Sequence, residues 1–400
     1  MDPKRYSVQW RLAITQEMLS IRDTEVKSGR SLRSLLAAWR ELLADGIIPF
    51  WMKALDSEYG GVFSCMAEDG TVLSTEKYTW SQARMAWTLA ALYRRFEGRA
   101  EFIEHARKTL DFLLAQGRDE RGRFVYRMSR EGVALEGATS IYSDCFVAYA
   151  IEEYCKAVPD AGLARERELI LERVCRRVEE PDFSETAPYA LPAGRRVHGI
   201  PMILTEVTGL DVYPRLVMDK FVRPERRVLL EYLGRDYAEL PGAEGTFVNP
   251  GHAIESMWFV LHWAMRRGDQ GTIARAAEVV RWHLEAGWDK EYGGIFLGLD
   301  AAGGEPFLPN SDKKVWWPHT EALYALLLCH KLTGEAWCME WYWRVHEWSF
   351  AKFSMPGVGE WRQRLDRRGE PITELIALPV KDPFHLPRAA LLIVELLAAE

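Results

Sequence analysis

Three of the nine histidines stand at the head of apolar segments with helical spacing: His252 in NPGHAIE, His319 in WWPHTEA and His385 in FHLPR. They are 67 and 66 residues apart. Imidazole titrates nearer neutrality than any other side chain, so it is suited to take or deliver a proton. The positive end of a helix favours the neutral ring, which is the form that acts as a base. Three such residues at equivalent places in a repeat are expected to face one pocket. Glu255 follows His252 by one helical turn and is expected to orient or balance that ring. Arg84 in SQAR, Glu321 in PHTEA and Arg388 in HLPR are charges near the start of apolar segments, where they must be paired or open onto a wet cavity. Ion pairing between helices is the plainer reading, strongest for Arg388. Trp80, Trp316 and Trp317 offer indole faces of the kind that stack on sugar rings, Trp317 foremost, although core filling accounts for most tryptophans. Asp56, Glu58, Asp289 and Glu291, in two EYGG segments, read as turn formers instead.

The elements that must position these residues repeat along the chain. LDSEYGGVFSCMAEDG from Leu55 recurs as WDKEYGGIFLGLDAAGG from Trp288, with weaker relatives from Arg118 and Glu360. Each joins a turn to alternating apolar and polar residues, the pattern of a short β-hairpin. After the hairpins come low-charge helical segments beginning near Trp80, Tyr142, Pro201, Pro250, Pro318 and Phe384. Before them come amphipathic stretches: 32–43, 101–114, 165–178, a poorly defined one over 215–230, 272–286 and 336–353. Helices apolar all round belong inside, and one-sided helices belong outside. The expectation is an all-α fold, an (α/α)6 barrel of six helical hairpins with short β-hairpins over one end, as a single domain over 1–400 with a helical extension over 1–30. An open α-solenoid is the competing architecture. Prolines in the first turn of several inner segments mark the boundaries, because proline is tolerated only there.

Composition narrows the function. The balance of 51 basic against 58 acidic residues leaves a net charge of −7 with no basic tract, which argues against nucleic acid. No apolar run approaches the roughly 20 residues that span a bilayer. The opening MDPKRYSVQWRLAITQ lacks the marks of a secretory signal, so a cytoplasmic protein is expected. The six cysteines form no C-x-x-C pair and read as reduced core residues, with no metal site indicated. Phosphate-loop, dinucleotide and zinc-protease motifs do not occur.

NPGHAIE, KVWWPHTEALYAL and FHLPRAAL, together with EKYTWSQAR and IPMILTEVTGL, resemble in order and spacing the N-acylglucosamine 2-epimerase family, also known as renin-binding proteins. The resemblance runs from about Leu43 to the C terminus. It implies an (α/α)6 barrel and metal-independent proton transfer at C2 of an opened aldose, with His252 and His385 as the acid/base pair. It implies that Arg84, Glu231 in LLEYL, Glu255 and Glu321 bind substrate or assist the histidines. Trp317, Met202, Asn249, Tyr78 and His319 join them as substrate-contact positions. Met202 stands where cellobiose epimerases carry a histidine, and PMILT favours interconversion of N-acetylglucosamine and N-acetylmannosamine. Alternatives are an aldose–ketose isomerase, a mannose/glucose or cellobiose 2-epimerase and, more remotely, a glycoside hydrolase or a non-catalytic binding protein. The family further implies no required cofactor, ATP as an allosteric effector, and a homodimer.

Overall fold

The protein was analysed as a computed structural model, which describes residues 31–186, 190–376 and 378–398. The expected extension over 1–30 lies outside the described residues. Outer helix α1 (Leu32–Glu41) leads to inner α2 (Thr79–Arg95), outer α3 (Ala100–Gln116) to inner α4 (Ile141–Ala157), and outer α5 (Ala161–Arg177) to inner α6 (Gly199–Thr208). Outer α7 (Val212–Leu216) leads to inner α8 (Pro250–Met265), outer α9 (Gln270–Gly287) to inner α10 (Trp316–Thr333), and outer α11 (Ala336–Phe353) to inner α12 (His385–Ala398). Each inner helix packs on the next, and α12 packs back on α2. That last contact closes the ring and makes the fold an (α/α)6 barrel, which an open solenoid would not do. Among the described residues, no helix is long and apolar enough to cross a membrane.

One expected element is different. The fourth outer segment, read over 215–230, stops being helical at Phe221 and turns into paired strands Val222–Arg223 and Val228–Leu229. Pro224 is the cause, since it disfavours helical geometry in the residue before it and has no N–H to donate. The released chain carries Glu231 inward, where it is buried.

The expected hairpins form locally and are also joined to one another. Bridges such as Leu55↔Val62 and Trp288↔Ile295 close each turn, and further pairings run between repeats. Lys77–Tyr78 pairs with Arg127–Met128, Phe247–Val248 with Leu299–Asp300, and Lys314–Val315 with Arg364–Leu365. The strand entering an inner helix is thus laced to the following repeat, which holds the helix starts in a common rim.

The two EYGG turns are built alike. Asp56 accepts the amide hydrogens of Glu58 and Tyr59, and Asp289 those of Glu291 and Tyr292. The second glycine of the first turn has φ +83°, and a Cβ there would lie 2.2 Å from Gln82 Oε1, so no other residue fits. Each aspartate also meets a buried lysine at 3.0 Å, Lys77 in one repeat and Lys314 in the other. Both lysine side chains are 0% exposed. Removing one partner of such a pair strands the other charge. Asp289→Ala is therefore expected to cost about 3–5 kcal/mol of unfolding free energy. Urea denaturation measures it, and a loss below about 1 kcal/mol would show that Lys314 escapes to solvent.

Candidate active site

Helix α8 is buried from Pro250 through Ala264 with a single break, His252. Asn249 caps the helix, its side-chain oxygen accepting the His252 amide hydrogen at 3.1 Å. Asn249 thereby orients the helix start. The His252 ring donates from Nδ1 to Glu231 Oε1 at 2.9 Å. A carboxylate only accepts, so Nδ1 carries the hydrogen and Nε2 is left as the working nitrogen.

Burial presses the His252 pKa down, but the charge of Glu231 and its hydrogen bond, with the charge of Glu255, raise it above its ordinary value. The helix dipole's preference for a neutral ring is therefore opposed by a partner that the dipole argument did not include. Glu231 in turn would be raised by burial, yet the charge of His252 and a contact with His198 hold it at about 2. Its backbone is pinned on both sides, accepting from His198 N at 2.8 Å and donating to Phe247 O at 3.1 Å.

His385 has the same arrangement at the start of α12, with Nδ1 donating to Glu321 Oε1 at 2.7 Å. Glu321 also accepts from Trp258 Nε1 at 2.8 Å and meets Arg388 at 2.8 Å. Burial works against its charge, and Arg388 and His385 overcome that, holding it at about 2. Arg388 reaches Glu255 as well, at 2.5 Å, so Glu255 is tied to a guanidinium and acts on His252 only through its charge. Atoms of Glu255, Glu321 and His385 lie within 4.8 Å of one another, a spacing that suits a cation. Arg388 already brings its positive charge to both carboxylates.

Trp317 packs against both histidines. Its ring centroid is 5.2 Å from His252 and 5.6 Å from His385, tilted 37° and 35° to them. The glycine of NPGH leaves room for it, since a Cβ at Gly251 would come within 2.5 Å of the indole. Arg84 enters from α2, its guanidinium stacked 4.1 Å over Phe146 and 4.9 Å from Trp80, with Nη1 on Asp382 at 2.8 Å.

Three sequence expectations fall elsewhere. His319 does not face the pocket and is corrected to a structural role. Its Nδ1 donates to Val315 O at 2.8 Å, its Nε2 accepts the Ile295 amide hydrogen at 2.9 Å, and the ring stacks on Trp348. Burial pushes its pKa down to about 3, so it stays neutral. In the first repeat Gln82 does the same work, accepting the Val62 amide hydrogen at 2.7 Å. His319→Gln is accordingly expected to keep kcat within about threefold of wild type, while His319→Ala orphans the Ile295 amide at a cost of about 1–3 kcal/mol in stability. Activity and melting curves of the two variants check this. Met202 is buried in the hydrophobic core at 4% exposure. Tyr78 packs against Tyr126 and Cys65 in a separate cluster under the hairpins.

Sequence reasoning missed Asp382, Trp258 and His198. Asp382 carried a signal, an N-cap residue just before the helix of FHLPR. His198 and Trp258 carried none, because their roles arise from contacts between distant elements. His198 is fully buried with Nδ1 3.7 Å from Glu231 Oε2.

The matches with known proteins agree with this geometry. The family model for N-acylglucosamine 2-epimerase matches residues 61–389. The chain is 31% identical to the N-acylglucosamine 2-epimerase of Rattus norvegicus, over 92% of this chain and 94% of that one. Identity to the Homo sapiens protein of that name is 29%, covering 92% of each chain. Among solved structures, a cellobiose 2-epimerase from Bacillus thermoamylovorans superposes with TM-score 0.77 at 16% identity, covering 91% of this chain and 99% of that one. The chain belongs to the N-acylglucosamine 2-epimerase family and is a carbohydrate epimerase, an isomerase.

Proposed function

We propose that the protein interconverts N-acetylglucosamine and N-acetylmannosamine by proton transfer at C2 of the open-chain sugar between His252 and His385. The observation that carries this reading is the pair of carboxylate-tethered histidines flanking one indole. The named activity of relatives at about 30% identity supplies the substrate. In the proposed step one Nε2 removes the C2 hydrogen, and the electron pair passes into the C1–C2 bond and onto O1 to form an enolate that keeps its acetamido group at C2. The imidazolium on the opposite side returns a proton to the other face. Arg84 places positive charge where the enolate oxygen forms, the kind of donor that gains strength in the transition state. Trp317 offers its indole to the chain between the two rings.

These steps use side chains alone, so the proposal includes no cofactor. ATP enters only as an effector, tested by turnover with and without it, and a cytoplasmic homodimer is the expected state, tested by sedimentation and cell fractionation. A glycoside hydrolase would need two carboxylates free to flank a bond. Here Glu255 and Glu321 are both bound to Arg388.

N-acetylmannosamine incubated with the protein in deuterated water is expected to yield N-acetylglucosamine labelled at C2. Ketose from mannose or glucose, with no change in N-acetylmannosamine, would replace the reading with an aldose–ketose isomerase.

A further inference from the structure

Asp382 belongs to neither histidine's carboxylate pair, yet it touches both sides of the site. It is 2% exposed. Its Oδ2 accepts the amide hydrogens of His385 at 2.7 Å and Phe384 at 3.2 Å, which starts α12 at the catalytic ring. Its Oδ1 takes Arg84 Nη1 at 2.8 Å. The aspartate is itself held by Gln363, whose side chain accepts the Asp382 amide hydrogen at 3.1 Å. The Arg84 guanidinium is otherwise bounded by ring faces, Phe146 at 4.1 Å, Trp80 at 4.9 Å and Phe384 at 5.1 Å. Aromatic faces confine a guanidinium plane but leave it free to rotate, whereas a charge-assisted hydrogen bond fixes its direction.

We propose that Asp382 is a positioning residue that sets His385 and Arg84 in one frame, one oxygen holding the start of the histidine's helix and the other aiming the guanidinium at the enolate oxygen. The assignment rests on the epimerase reading for its catalytic consequence, and on the geometry alone for its hold on Arg84. Proton transfer to carbon tolerates little misplacement: an error of about 1 Å between the base and the charge that receives the electrons costs about 100-fold. A single carboxylate tying the two together fixes that distance.

Asparagine separates the two roles, because it caps a helix about as well as aspartate but has no charge for Arg84. Asp382→Asn is expected to melt like wild type and to lose about tenfold in kcat with KM changed less than threefold. Asp382→Ala, which loses both roles, is expected to lose about 100-fold. In an Arg84→Met background the asparagine change should cost less than about twofold, because the group it aims is gone. An arm without turnover measures calorimetric affinity for a linear aldonohydroxamate, a planar mimic of the enolate. Asp382→Asn should weaken it about tenfold and leave the affinity for the corresponding alditol unchanged. Wild-type kcat and hydroxamate affinity in Asp382→Asn would overturn the proposal, as would equal losses in the wild-type and Arg84→Met backgrounds. Absence of C2 exchange in the wild type would instead remove the epimerase reading, and the hydroxamate arm would still decide whether Asp382 directs Arg84.

Discussion

His385→Asn is expected to lower epimerisation about 10³- to 10⁴-fold, and His252→Asn to do the same, the scale of losing a positioned acid or base. Each variant should keep half of the chemistry. With one Nε2 remaining, the protein can still remove and return the C2 hydrogen on a single face, so it exchanges that hydrogen with solvent in one epimer without inverting it. The two variants are expected to exchange opposite epimers. The motivation is geometric: each ring has its own buried carboxylate and its own helix start, so removing one leaves the other's Nδ1 partner in place. Neither histidine caps its own helix, Asn249 and Asp382 having that task, so both variants should fold. Proton NMR in deuterated water reads exchange and inversion separately. Loss of exchange in both epimers from either single variant would mean that one histidine does all the proton transfer.

Glu231→Gln is the second large effect, about 10- to 100-fold at neutral pH, the cost of losing the group that orients and charges a working histidine. Glutamine can still accept from Nδ1, so the ring stays in place and the loss is electrostatic. In the wild type the His252 pKa is raised because Glu231 outweighs burial. Without that charge burial prevails, the ring gives up its proton at lower pH, and the alkaline limb of the rate profile moves to lower pH. Activity should partly return as the pH is lowered.

The same pair governs a part of stability. A histidine raised in the folded state stabilises fully below its ordinary pKa of 6.5 and ceases to as pH climbs through the raised value. A glutamate lowered to about 2 stabilises above its ordinary 4.5 and ceases to as pH falls toward 2. The contribution of Glu231–His252 is thus greatest between 4.5 and 6.5. A denaturation series across pH should show that window flattened in Glu231→Gln. Glu321→Gln is a poorer probe of the same idea, since it also unpairs the buried Arg388.

The twofold engagement of Glu231 and the threefold engagement of Glu321 make the two histidines unequal. Glu231 has one firm hydrogen bond, to His252, and a loose contact with His198. Glu321 divides its charge among His385, Arg388 and the Trp258 N–H.

The apolar spacing determined where the barrel helices lie, because an enclosed helix has to be apolar all round and an outer one on a single face. Proline in the first turn, and the aspartates and glycines of the EYGG turns, are local rules that read the same in a sequence and in a fold. The starts of α8 and α12, and with them the places of His252 and His385, were legible for that reason. Direction and partnership were not. His252 and His319 both lie in the first turn of their helices, yet one ring is 29% exposed and the other props Ile295, because Trp348 covers one side of His319 and the hairpin amide waits on the other. Glu231 lies in a segment that reads as a poor outer helix, and only the strand pairing forced at Pro224 brings it to His252. Arg388, which could be read equally as a strut or a site residue, pairs with both Glu255 and Glu321 once α8, α10 and α12 meet around it. The direction in which the His252 pKa moves was decided last of all. A helix dipole acts along the chain and can be foreseen, whereas a carboxylate delivered from a distant strand raises the pKa only after the barrel has closed.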